Sequence, residues 1–139
     1  MYIEPTQEAG AAFFGNPPKG PVDMLNMLRF REVADYSKTP KLAPAAPISG
    51  AEAYKLYAAH TMPFLLEAGG EVLFRGTGGL YLIGPADDCW DVVMIIRHQS
   101  AEHFVSFARN KKYLAGVGHR TAALEDSRLL PITQHRGVL

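Results

Sequence analysis

Val22-Asp23-Met24-Leu25-Asn26-Met27-Leu28-Arg29-Phe30 is a run of strand length that is apolar on alternate residues of either parity. Trp90-Asp91-Val92-Val93-Met94-Ile95-Ile96-Arg97-His98 repeats the pattern, with polar groups mainly near the ends. A strand that is apolar on both faces has to be covered on both faces. In a chain of 139 residues with two main helices, the helices take one face. The other face calls for a second subunit, and the pattern predicts a homodimer packed sheet against sheet.

The stretches on either side fit that frame. Residues 1–21 read as an N-terminal arm: Ala9 to Phe14 can form one or two helical turns, and Gly15-Asn16-Pro17-Pro18-Lys19-Gly20-Pro21 cannot continue them. Residues 32–48, with prolines at 40, 44 and 47, read as a long loop of the lid or interface-arm kind. Ser49-Gly50-Ala51-Glu52 has the form of a capping box and opens a helix to about Ala68. Its buried stripe holds Tyr54, Tyr57, Ala58, Thr61, Leu65 and Ala68, with Phe64 at the edge. Pro63 should kink it, and Gly69-Gly70 should end it in a left-handed turn.

Beyond the helix, Glu71 to Arg75 and Leu80 to Ile83 flank Gly76-Thr77-Gly78-Gly79. They form either a hairpin or one long strand bent at a glycine bulge. After a turn at Gly84-Pro85-Ala86-Asp87-Asp88 comes the strand Trp90 to His98. Ser100 caps a second helix with Ala101, Phe104, Val105 and Ala108 on its stripe. A short helical piece over His119 to Leu124 and a strand over Ser127 to Ile132 complete the domain, 22–132, before a tail at 133–139. Strand, helix, strand, strand, helix, strand is the split βαβ or ferredoxin-like plan, an α+β fold with an antiparallel sheet. Its sheet-to-sheet dimer is the dimeric α/β barrel.

Composition narrows the partners. Fourteen basic residues balance fourteen acidic ones and are dispersed, which argues against nucleic acid and against an anionic membrane surface. Cys89 is the lone cysteine, so no internal disulfide forms. Met1-Tyr2-Ile3-Glu4-Pro5 has no basic or apolar leader character, and a cytoplasmic location is the expectation.

Several segments resemble a known family. Gly20 to Arg31 resembles the opening strand of the bacterial proteins grouped as domain of unknown function 1330. Gly69-Gly70-Glu71-Val72-Leu73-Phe74-Arg75-Gly76 is similar to that family's Gly-Gly strand, and Ile83-Gly84-Pro85 with Trp90-Asp91 to the approach to its third strand. His119 to Leu129 is similar to the C-terminal signature of one subgroup. The resemblance spans about residues 13–132 and implies a ferredoxin-like fold, a dimeric α/β barrel and no established activity. The chain departs from the pattern at His98-Gln99-Ser100 and at Lys111-Lys112-Tyr113.

Candidate chemistry is sparse. Tyr54, Tyr57 and Thr61 put three hydroxyls on one otherwise apolar stripe, which reads as a pocket wall or as locally satisfied packing. Asn26 interrupts an apolar strand face and needs a partner there. Arg29, Arg75, Arg97, Arg120 and Arg128 lie on or beside strands, either in ion pairs with Asp23, Asp91, Glu125 or Asp126 or as a clamp for an anion. Trp90 is a core, interface or ligand-stacking aromatic. His119 and Arg120, adjacent in the signature segment, are the candidate catalytic pair. Asn26, Arg29, Tyr54, Tyr57, Thr61, Arg75 and Trp90 are the candidate binding residues. His60 lies off the helix stripe, as a surface or subunit-contact histidine would.

No HxH or HExxH spacing points to a metal, and the glycines at 76, 78 and 79 make no dinucleotide fingerprint, so no cofactor is expected. Three readings follow. The chain is a cofactor-independent enzyme acting on a small anionic or enolisable metabolite, a binding dimer without a competent base, or an interaction protein whose barrel interior is only a dimer core. The first rests on analogy with other dimeric α/β barrels. If the stripe and faces are assigned correctly, Tyr57, Thr61, Arg75 and His119 should approach one cavity.

Overall fold

A computed structural model describes residues 1–137. The elements in chain order are α1 (Gln7–Gly15), β1 (Val22–Phe30), a 3-10 turn at Pro40–Leu42, α2 (Gly50–Glu67), β2 (Glu71–Leu80) and β3 (Cys89–His98). They continue with α3 (Ala101–Ala108), α4 (Lys111–Leu114), α5 (Val117–Ala123) and β4 (Leu124–Ile132). The four strands form one antiparallel sheet in the order β2-β3-β1-β4, the ferredoxin-like arrangement that the element order predicts. Residues 138–139 of the expected tail lie outside the described residues.

Register separates the two sheet faces, because residues directly opposite in an antiparallel ladder share a face. On the helix side run the rows Val72–Ile96–Met24–Pro131, Arg75–Met94–Asn26–Leu129 and Thr77–Val92–Leu28–Ser127. On the far side run Phe74–Ile95–Leu25–Leu130 and Gly76–Val93–Met27–Arg128. The helix-side core gathers Leu28, Ala53, Tyr54, Tyr57, Met94, Ala123 and Leu124, all buried. Met24 and Val22 meet Ala101 at the other end of the sheet, where Phe13 of α1 and Phe104 also pack. The central far-side row is left partly open by the described residues: Phe74 is 55% exposed and Leu130 54%, while Leu25 and Ile95 between them are half-buried.

The stretch 71–83 resolves into one strand, not a hairpin. Its irregularity falls between Val72 and Phe74, however, and not at the glycines. Leu73 is the extra residue, so even-numbered Val72 faces the helices and even-numbered Phe74 faces away. A strand whose parity flips at a bulge looks apolar on both sides in sequence, which is what hid the break. Tyr81 to Ile83 lie beyond the strand. The last strand starts at Leu124, three residues earlier than its sequence pattern indicates, and α5 starts at Val117. The four-residue α4 had no periodicity to betray it. α2 runs unbroken through Pro63.

Two junctions position the site. At the start of α2, Ser49 and Glu52 form the expected capping box. There Gly50 N donates to Arg31 O at 2.9 Å, and Arg31 N donates to Ala123 O at 2.8 Å. These bonds tie the end of β1, the start of α2 and the end of α5 together. A Cβ at position 50 would run into the Arg31 and Ala123 carbonyl oxygens, so the junction admits only glycine. At the other end of α2, Gly69 has φ +79° and Gly70 does not share it, which places the left-handed stop at the first of the pair. Gly69→Ala should cost about 1 kcal/mol through its backbone alone. The added methyl meets the movable amide of Gln99, which can give way. Urea denaturation checks the figure, and an unchanged midpoint would remove the capping role.

Candidate functional site

The helix side of the sheet holds a chain of aromatic side chains. Phe30 packs on Tyr54 (ring centroids 5.4 Å), Tyr54 on Tyr57 (5.2 Å), Tyr57 on Tyr113 (6.1 Å) and Tyr113 on Phe107 (4.4 Å). The hydroxyls of Tyr57 and Tyr113 share a hydrogen bond of 2.8 Å. Burial pushes the phenols of Tyr54 and Tyr113 well above their ordinary range. Repulsion from a Tyr57 phenolate adds to this, and the charge of Arg120 opposes it at both groups. Arg75 also acts on Tyr54 in the opposing direction. Both phenols therefore stay protonated across the working pH range and act as hydrogen-bonding groups, not as bases.

β2 forms one wall of this region and is left open. All its residues but Gly76 are exposed, whereas Leu28 of β1, Met94 of β3 and Leu124 of β4 pack with Ala53, Tyr54 and Tyr57 of α2. Val72, Arg75 and Thr77 thus stand on the helix side with no helix above them. Arg75 flanks Met94 in the same row as Asn26, and Met94 belongs to the core cluster of Tyr54 and Tyr57. Arg75 is thus an exposed cation next to the edge of the core that holds Tyr54 and Tyr57.

The arginines divide sharply. Arg29 binds Asp88 and lies 3.7 Å from Asp126; Arg97 binds Asp23 at 2.8 and 2.9 Å, and Arg128 binds Asp126 at 2.8 Å. Burial opposes ionisation of Asp126, but hydrogen bonds from Tyr2 N, Arg128 and Ser127 N outweigh it and hold the carboxyl below its ordinary range. Arg120 donates to Ile3 O at 2.6 Å. Arg75 has no ion-pair or hydrogen-bond partner among the described residues. Ion pairing, the plainer reading of these arginines, accounts for three of the five; a backbone carbonyl holds Arg120, and Arg75 is left over.

The remaining candidates are scattered. Asn26 donates to Met24 O at 3.1 Å and so is satisfied within its own strand. Trp90 is 3% exposed, with the guanidiniums of Arg29 and Arg128 over its ring at 4.6 and 5.1 Å and its Nε1 donating to Tyr81 Oη at 2.6 Å. Trp90, Arg29 and Arg128 therefore form a structural stack of ring and cations, with Tyr81 on the indole nitrogen. Thr61 is buried, and its Oγ1 has no partner among the described residues. His119 shares a 2.7 Å hydrogen bond between its Nδ1 and Tyr36 Oη. Burial, and then the charge of His60, lower the pKa of its imidazole. His60 is an internal contact instead of a free surface histidine: its Nε2 donates to Lys112 O at 2.7 Å. Of the four residues expected at one cavity, Tyr57 shares its hydroxyl with Tyr113, His119 its Nδ1 with Tyr36, Thr61 is buried and Arg75 is exposed.

The comparisons with known proteins bear on this geometry. A family model described as Domain of unknown function (DUF1330) matches residues 45–132. The chain belongs to this family. Two solved structures of the RPA0582 protein, from Rhodopseudomonas palustris, are 38% identical to it. The methylated form has a TM-score of 0.89 over 99% of this chain and 98% of that one. The other, a protein of unknown function, has a TM-score of 0.87 over 98% of each. No curated protein matches.

The residues at the two expected departures, His98-Gln99-Ser100 and Lys111-Lys112-Tyr113, have local partners. His98 is buried against Phe104 and Phe107 at ring distances of 4.9 and 5.7 Å, and Gln99 lies beside Gly69. Tyr113, which sequence reasoning left out of the site, is set by Asn110, whose Oδ1 accepts from Lys112 N and Tyr113 N. An asparagine three residues before a tyrosine was the available signal. Tyr36 had none, since it sits in an aperiodic loop. No helix among the described residues is long and apolar enough to cross a membrane.

Proposed function

We propose that this DUF1330 chain works as a homodimer closed through the far faces of its sheets, and that the helix-side surface around Arg75 binds a small anionic ligand. The partly open apolar row Phe74–Ile95–Leu25–Leu130 supports the pairing, because a contiguous apolar strip on a sheet face is a place for another surface. The ligand reading is carried by Arg75: among the described residues it has neither the carboxylate that Arg29, Arg97 and Arg128 have nor the carbonyl that holds Arg120, and it lies in the row of Met94, which packs with Tyr54 and Tyr57. A planar guanidinium beside an apolar core suits a carboxylate attached to an apolar body. Binding is preferred to base catalysis by the tyrosines, because the buried phenols of Tyr54 and Tyr113 are held protonated.

Benzoate is the simplest probe of that chemistry, with benzamide as the neutral control. Calorimetry should show benzoate binding to the native protein in preference to benzamide. Arg75→Met should weaken it tenfold or more, in keeping with about 1.5–3 kcal/mol for a charge-assisted hydrogen bond. Thermal stability should hardly change, since Arg75 is exposed. Tyr57→Phe should weaken binding less. Equal affinity of native and Arg75→Met protein for benzoate, or none in the native protein, would contradict the assignment.

A further inference from the structure

A cavity of about 400 Å³ opens beneath the N-terminal segment, remote in function from the Arg75 surface. Glu4 and Thr6 line it from that segment, and Arg31, Asp35, Lys38 and Thr121 from the body of the domain. The segment is fastened in place: Tyr2 N donates to Asp126 Oδ1 at 2.8 Å, Ser127 Oγ to Tyr2 O at 2.5 Å, and Arg120 to Ile3 O at 2.6 Å. The wall it provides is therefore part of the fold.

Four of the lining side chains are ionic, two of each sign, and none of the four enters an ion pair among the described residues. Asp35 accepts a 3.0 Å hydrogen bond from Ser37 N, and this bond favours its charged form. Arg31 is the second observation. It lines the cavity, and its terminal guanidinium nitrogens have no acceptor among the described residues; only its Nε is shut off from solvent.

We propose that this cavity binds a small zwitterion of the α-amino-acid class, its carboxylate on Arg31 with Lys38 behind it and its ammonium toward Asp35 and Glu4. Charges of both signs in one cavity match a ligand that carries both. A plain anion would face two carboxylates, and a plain cation two cationic side chains. The volume falls toward the lower end of the roughly 300–1,000 Å³ of small-molecule sites, which fits an amino acid better than a nucleotide. Ile3 adds apolar surface, so a ligand with an aliphatic side chain is favoured.

The test is calorimetric titration of the intact protein with L-leucine, N-acetyl-L-leucine and L-leucinamide. Leucine should bind, and the two blocked analogues, which lack the ammonium or the carboxylate charge, should each bind at least tenfold more weakly. Arg31→Met and Asp35→Asn should each reduce leucine affinity tenfold or more, while Arg75→Met leaves it unchanged and so separates this site from the benzoate site. Should Arg31→Met fail to fold, Lys38→Met, at an exposed position, reads the same loss. N-acetyl-leucine binding as tightly as leucine would overturn the proposal in favour of a simple anion site, and absence of leucine binding at millimolar concentration would overturn it outright.

Discussion

Met24→Asp should abolish folding, whereas Ile95→Asp should yield a folded chain that no longer pairs. The two residues are both apolar and both central in their strands, but they lie on opposite faces of the sheet. Met24 is 2% exposed and packed on the helix side with Val22 and Ala101. A carboxylate there has neither water nor a cation, and either its ionised form is buried unpaired or it takes up a proton at the expense of packing. Several kcal/mol, roughly the whole margin of a small domain, is the expected loss. Ile95 faces away from the helices, between Leu25 and Phe74, where a second subunit would complete its cover. An aspartate there stays hydrated in the single chain and becomes costly only on pairing. Circular dichroism with light scattering reads the two outcomes. Folded dimeric Ile95→Asp would place the interface elsewhere, and folded Met24→Asp would contradict the assignment of the helix-side core.

Acid should destabilise the protein between about pH 6.5 and 4, with His98 as the main cause. Burial, and then the charge of His103, push the imidazole of His98 down to about 4. The unfolded chain, with an ordinary histidine near 6.5, takes up a proton over that window that the folded chain refuses. The unfolded state therefore gains protons first, so stability is intact above the upper value and falls as pH is lowered to the folded one. A displacement of roughly 2.5 units sets a ceiling of about 3 kcal/mol. His98→Leu removes the titrating group from between Phe104 and Phe107 and should flatten the profile, although it alters packing as well. Urea midpoints at pH 7.5 and 4.5 give the comparison. A wild-type protein equally stable at both would mean that His98 is more accessible than its 3% exposure implies. Asp126, held below the ordinary carboxylate range, adds its own loss only at lower pH.

How much of this could be read from the chain depended on the range of the interactions involved. The capping box at Ser49 and the left-handed stop at Gly69 were legible because each is decided within a few residues. The strand order was legible because two runs apolar on both parities leave few ways to be covered. The bulge at Leu73 was not, since its position is set by the register against β3 and not by the glycines that usually mark such sites. Among the site residues, Tyr54 and Tyr57 were found from helical spacing, but the partner of Tyr57 lies 56 positions away. Arg29 and Arg75 looked alike in sequence. What separates them is Asp88, brought to Arg29 by the turn before β3, and the open edge on which Arg75 lies. Local chemistry thus nominated the residues, and long-range pairing decided which of them were already occupied.

The account stands on the claim that the far face of the sheet is covered by a second copy of the chain. Sedimentation equilibrium of the unmodified protein at micromolar concentration tests it most directly. A single species of twice the 15.2 kDa chain mass is the expected result. A compact monomer of 15.2 kDa under the same conditions would contradict it, because the row Phe74–Ile95–Leu25–Leu130 would then stay partly open to water.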